Sequence, residues 1–146
     1  KRGLCYSVFS FGTSYEDVGQ LGVYAATSPD HTANLIDVTS RVMLSMAEAV
    51  TGKEVARAKA QLKTSLVMNL ESASARADQI ARQYLAFGHV PDVPTLISRI
   101  EAVNAGDVSK LAHDVFTANP PSLSAVGQLS TLESYSAIAS RFAGRS

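Results

Sequence analysis

His31, His89 and His113 are the side chains best suited to metal or acid–base chemistry, and each stands without a second ligand at a usable spacing. Neither H-E-x-x-H nor H-x-x-E-H occurs, the two patterns that put a pair of imidazoles one helical turn apart with a glutamate as base. Each histidine therefore reads as a surface or structural residue, His113 beside Asp114 included. Serines are plentiful, yet there is no G-x-S-x-G elbow to raise a nucleophile and no glycine-rich loop of the Walker type to cradle phosphate. The single cysteine, Cys5, excludes an internal disulfide, cannot form a thiolate metal site alone, and between Leu4 and Tyr6 reads as a small buried core residue. Lys53, Glu54, Arg57, Lys59 and Lys63 alternate along one helical stretch; a solvated face is the expected reading over an acidic-partner site. Met43, Met46 and Met68 fall at helical positions where filling a core is the ordinary role.

The chain has 146 residues, 46% hydrophobic and 18% charged, which is the size and balance of one globular domain. Its formal net charge is zero, with both signs interspersed, so no electrostatic footprint for nucleic acid stands out. No run approaches the roughly 20 apolar residues of a spanning helix, and no charged-then-apolar leader opens the chain. The compartment stays open, with cytoplasm or an organelle matrix favoured over secretion. The chain opens at Lys1 and enters a strand pattern almost at once, which suggests part of a larger polypeptide.

The elements that would position any chemistry are organised around Thr51–Gly88. There Val55, Ala58, Leu62, Leu66, Leu70, Ala73, Ala77, Ile80, Tyr84 and Phe87 recur at intervals of three or four, predicting an amphipathic helix with one buried face. Thr51 with Glu54 makes a capping box, Gly88 can adopt the left-handed C-cap, and Glu71–Ser74 predicts a kink or a break into two helices. Before it, 4–11 and 21–27 read as an antiparallel hairpin around a polar loop holding Gly12, Asp17 and Gly19. Both faces of the first strand carry apolar groups, so cover on both sides is expected. Ser28-Pro29-Asp30 opens a helix striped by Leu35, Val38, Val42, Met46 and Ala49 and ending near Val50.

After Gly88, residues 89–94 read as a proline-bounded connection. A short helix follows with Leu96, Ile100 and Val103, then a turn at 104–107 and a helix with Val108, Leu111 and Val115 inward, stopped by Asn119-Pro120-Pro121. Residues 123–126 read as a short strand. Ser130 and Glu133 suggest a capping box for a last helix with Tyr135, Ile138 and Phe142 on one side. The expected class is α+β, with helices packed on one face of a mainly antiparallel sheet. Three strands are too few to cover so much helical apolar surface, which implies further strands from missing sequence or another chain.

Four segments in this order, KRGLCYSVFSF, GQLGVYAATSP, EVARAKAQLKTSLVMNLESASARADQIARQYLAFG and LSAVG, resemble the C-terminal domain of the pitrilysin and mitochondrial processing peptidase family, the inverzincins. The resemblance covers nearly the whole chain; its most specific parts are KRGLCYS and the region from RAKAQLK to SASARADQIARQ. It implies a processing-peptidase-like metallohydrolase domain of which residues 1–146 are an incomplete part. The entire N-terminal zinc domain and this domain's own first strands and helix would lie outside the chain.

Members of that family are zinc peptidases whose two homologous α/β domains close around an extended peptide, and some members are non-catalytic subunits. Their metal ligands and general base come from an H-x-x-E-H motif in the N-terminal domain, which this sequence lacks. The resemblance thus implies zinc in the parent protein, none bound by this chain, and a fragment that is inactive alone. It also implies a catalytic tyrosine. An arginine and a tyrosine of the family pattern reach the opposite domain's active site; the tyrosine aligns with Tyr6, while the arginine would precede Lys1, and Arg2 stands in a different register. A phenol donor at Tyr6 suits stabilisation of the oxyanion formed when a peptide carbonyl is attacked; the alternative is a half-buried strand aromatic with its hydroxyl at water. The expected partners are the N-terminal domain of the same protein and an extended peptide, with pairing to itself or to a different subunit left open. The alternative is a non-catalytic subunit acting in peptide binding or assembly.

Overall fold

A computed structural model describes residues 3–15 and 17–143. Two compact units are present, Lys1–Glu48 with Lys110–Ser146, and Ala49–Ser109. The class is α+β: a two-stranded antiparallel sheet and six α-helices among the described residues.

In the first unit, β1 (Ser7–Ser14) and β2 (Gly19–Ala26) pair from Ser7↔Ala26 to Ser14↔Gly19. Gly12, assigned to the loop by its residue type, lies within β1 opposite Leu21. Phe9 stacks on Tyr24 across the ladder with ring centroids 5.0 Å apart, a cross-strand aromatic pair. Phe11 lies opposite Gly22, and a Cβ at Gly22 would come within 2.3 Å of the Phe11 ring, so glycine there makes room for the aromatic to lie across the strand. Every residue of β1 is exposed, which corrects the expectation of cover on both faces. Cys5 is half-buried rather than buried.

A one-turn 3-10 helix (Pro29–His31) leads into α1 (Thr32–Glu48). Proline fits this start because its missing N–H falls where a helix has no acceptor for one. The unit's core is Leu44, Ala112, Phe116 and Phe142, with Met43 and Ala47 packed against it. These come from α1, α5 (Ala105–Ala118) and the turn after α6 (Tyr135–Ala139). The faces differ from the expected stripes by about one residue. On α1, Leu44 and Ser40 are buried while Val42 and Met46 are exposed; on α5, Ala112 and Phe116 are buried while Leu111 and Val115 are exposed. Apolar residues on both sides of each helix left two registers open to periodicity, and the packing partners selected one. Met43 fills the core, whereas Met46 and Met68 do not.

Residues 123–126 form no strand; Val126 is almost fully exposed. The last helix is capped by Ser134, whose Oγ accepts from the Ala137 N–H at 3.3 Å, instead of by Ser130. Glu133 pairs with Arg141 at 2.5 Å instead of completing a capping box. Ile138 and Phe142 are buried as expected, while half-exposed Tyr135 donates its hydroxyl to the Pro121 carbonyl at 3.1 Å.

The second unit holds α2 (Gly52–Asn69), α3 (Ala73–Phe87) and α4 (Val93–Ala102). The Thr51–Glu54 capping box is present in both directions. The predicted break occurs where hydroxyl side chains replace helix formers: α2 stops at Asn69, and Ser72 caps α3 by accepting from the Ala75 N–H at 3.3 Å. Gly88 closes α3 at φ 71°, a left-handed conformation that costs a residue without a Cβ least. Asp92 caps α4, and Pro94 sits in its first turn rather than in the connection. Asn104 and Asp107 exchange hydrogen bonds at 2.9 and 3.1 Å, so the expected 104–107 turn is the cap of α5.

The long apolar stripe is only partly covered. Val55 is buried and Leu66 and Leu70 are half-buried, but Leu62, Ile80, Tyr84 and Phe87 are exposed. The half-buried face of α2 carries Lys59 and Lys63 beside those leucines.

Candidate functional site

Tyr6 stands one residue before β1, where the hairpin ladder is about to end. Its N–H donates to the Ala26 carbonyl at 2.7 Å, adding one backbone bond below the Ser7↔Ala26 pair. Two residues earlier, the Leu4 carbonyl accepts from the Thr27 hydroxyl at 2.5 Å. The Tyr6 side chain is 82% exposed, so the backbone carries its placement and its phenol is presented outward. A phenol in that setting can donate a hydrogen bond to an incoming carbonyl or oxyanion. Arg2 lies outside the described residues.

The remaining candidates do not converge on Tyr6. His31 ends the one-turn helix before α1. His113 stands beside Asp114 on the exposed side of α5, with its Nδ1 3.8 Å from the carboxylate. Asp114 is also bound by Lys110 at 2.6 Å, and that hydrogen bond holds its carboxyl below the usual range. In the second unit, the His89 Nδ1 lies 3.0 Å from the Phe87 carbonyl. Among the described residues no group of three or more histidine, cysteine, aspartate or glutamate side chains could hold a metal ion.

The second unit carries an open groove of about 450 Å³ lined by Val55, Lys59, Lys63, Glu101 and Asn104. Its charge is satisfied internally. Lys59 donates to the Glu101 carbonyl at 2.7 Å, capping the end of α4, and Lys63 pairs with the Glu101 carboxylate. The Lys63 bond and charge depress the Glu101 carboxyl below its ordinary value of 4.5. Two of the cations that alternated along the sequence are thus engaged by Glu101 and do not form a free basic patch.

Residues 1–62, which contain Tyr6, both strands and Thr27, match the family described as the Peptidase M16 inactive domain. The beta subunit of the mitochondrial-processing peptidase of Bos taurus is 34% identical over 137 residues, covering 94% of this chain and 28% of that protein. The chain belongs to the M16 peptidase family.

Within that family, a protein of Streptomyces coelicolor named as an uncharacterized zinc protease is 35% identical over 130 residues, covering 88% of this chain and 28% of the relative. This M16 chain therefore spans little more than a quarter of the length of the curated relatives it matches. A solved chain of complex III2 from Candida albicans, with Inz-5 bound, superposes with a TM-score of 0.88 at 24% identity. It covers 98% of this chain and 34% of that one, which establishes a shared fold. No helix among the described residues is long and apolar enough to cross a membrane.

Sequence reasoning reached Tyr6 through the KRGLCYS segment. It did not reach the Thr27 contact, which joins residues 23 positions apart and whose only local trace is a hydroxyl residue just past the end of β2.

Proposed function

We propose that this chain is the later part of the C-terminal, non-zinc-binding domain of a two-domain zinc metallopeptidase, where it closes the peptide chamber and supplies Tyr6 to the opposite domain's active site. The observation that carries this reading is the exposed Tyr6 phenol at the foot of the hairpin, inside the region matching the M16 model. Its support is the naming of relatives as processing-peptidase beta subunits and zinc proteases. The described residues do not fit a zinc site, so the metal of such a parent would be held by residues beyond this chain.

What this chain contributes is a hydrogen-bond donor. A peptide carbonyl under attack develops negative charge on oxygen, and a pre-placed phenol stabilises that charge more than it stabilises the neutral carbonyl. The exposed hairpin and the uncovered stripe of α3 fit a domain whose remaining strands and first helix belong to the same polypeptide. Tyr6→Phe in the longer polypeptide keeps the ring and removes the donor. The expected result is a fall in kcat of about 100-fold with KM little changed. Unchanged peptide turnover in a zinc-replete protein would refute the catalytic role.

A second reading is a non-catalytic M16 subunit acting in peptide binding or assembly, with which the description of the matching model as an inactive domain is equally compatible. The zinc-binding sequence of the parent separates the two: an intact H-x-x-E-H elsewhere in the polypeptide supports the enzyme, and its loss supports the subunit. In either case the expected compartment is the cytoplasm or an organelle matrix.

A further inference from the structure

We infer that Thr27 is a positioning residue for Tyr6, an inference that rests on the catalytic reading of Tyr6. The strand ladder ends at Ser7↔Ala26, so Leu4, Cys5 and Tyr6, which lead to it, lie outside its paired register. Two bonds continue the ladder beyond its end. One is the Tyr6 N–H to the Ala26 carbonyl at 2.7 Å; the other is the Thr27 hydroxyl to the Leu4 carbonyl at 2.5 Å. Thr27 lies past the last residue of β2 and substitutes a side-chain donor for the backbone donor that the departing strand no longer supplies.

The consequence for Tyr6 follows from its exposure. A buried tyrosine is oriented by the side chains around it, whereas for one that is 82% exposed the backbone is what fixes where the side chain departs. Gly3, just before the segment, has a φ of 59° in the left-handed region. With both bonds, Leu4–Tyr6 is held at each end. Without the Thr27 hydroxyl, it is tied only at Tyr6, and the Leu4 carbonyl loses its side-chain donor. Small displacements of a catalytic donor are costly, since an error of about 1 Å can reduce rate by two orders of magnitude.

The test uses the full-length polypeptide that contains this chain, with Thr27→Val, which keeps the branched shape and removes the donor, and Thr27→Ser, which keeps the donor. Thr27→Val is expected to lower kcat about tenfold with KM unchanged, to leave Tm nearly unchanged, and to accelerate hydrogen exchange at the Tyr6 amide. Thr27→Ser should restore both kcat and exchange protection. Adding Thr27→Val to Tyr6→Phe should produce no further loss. Any of three results overturns the inference: wild-type kcat in Thr27→Val while Tyr6→Phe is impaired, failure of Thr27→Ser to rescue, or an equal loss from Thr27→Val in the Tyr6→Phe background. The catalytic reading of Tyr6 fails separately, when Tyr6→Phe alone leaves kcat unchanged; Tyr6 amide exchange then still reports whether Thr27 holds the segment.

Discussion

The hairpin and the Leu44–Phe116–Phe142 cluster lie in the same compact unit but are held by different forces. The cluster is side-chain burial: Phe116 and Phe142 retain 8% and 3% of their exposure, and removing either leaves a void. The hairpin is backbone pairing with open faces; Phe9, Tyr24 and Tyr6 are all half-exposed or more. A region built on burial supplies stability. A region built on pairing leaves its side chains open to whatever packs against it, which is compatible with the role proposed for Tyr6.

That contrast is sharpest in the response to truncation. Phe116→Ala should destabilise the protein by about 3–5 kcal/mol, read from the midpoint of urea unfolding. An equal loss from Phe9→Ala would break the distinction between the regions. The expected cost of Phe9→Ala is smaller, roughly 0.5–1.5 kcal/mol, the scale of an aromatic pair without deep burial. Thr51→Ala, which removes the hydroxyl acceptor of the α2 capping box, falls on the same scale as Phe9→Ala and should cost about 1 kcal/mol by the same unfolding measurement.

The smallest effect concerns charge in the second unit. Glu101 is held below 4.5 by Lys63, and Glu54 below 4.5 by Thr51. A carboxyl depressed in the folded state contributes stability above its unfolded value, and that contribution is lost as pH falls through the folded value. Thermal unfolding followed from pH 7 down to pH 2 should therefore show declining Tm below pH about 4.5, with a shallower decline in Glu101→Gln. An identical pH profile in that variant would show that the Lys63 pair contributes nothing measurable, as is common for exposed ion pairs.

Much of the second unit was readable because its signals are local. Thr51 and Glu54, the break at 71–74 and Gly88 act over at most four residues, so residue type and spacing dictate the local structure. The rotations of α1 and α5 were not readable. Val42 and Leu44, or Leu111 and Ala112, are comparably apolar to a periodicity argument, and only packing with Phe116 and Phe142 selects the inner one. Residues 123–126 failed for the same reason: an alternating pattern makes a strand only where another strand pairs with it, and none is present among the described residues.

The candidate site divides along the same line. By itself the sequence determined the hairpin, the Thr51–Glu54 cap, the break at 71–74, the stop at Gly88, and the segment bearing Tyr6, because each depends on neighbours in the chain. Only the tertiary structure decided that β1 stands uncovered, that Lys63 is paired with Glu101, and that Thr27 reaches Leu4 across 23 positions. Those contacts join residues whose separation in sequence carries no information about their separation in space, so they exist only once the chain has folded.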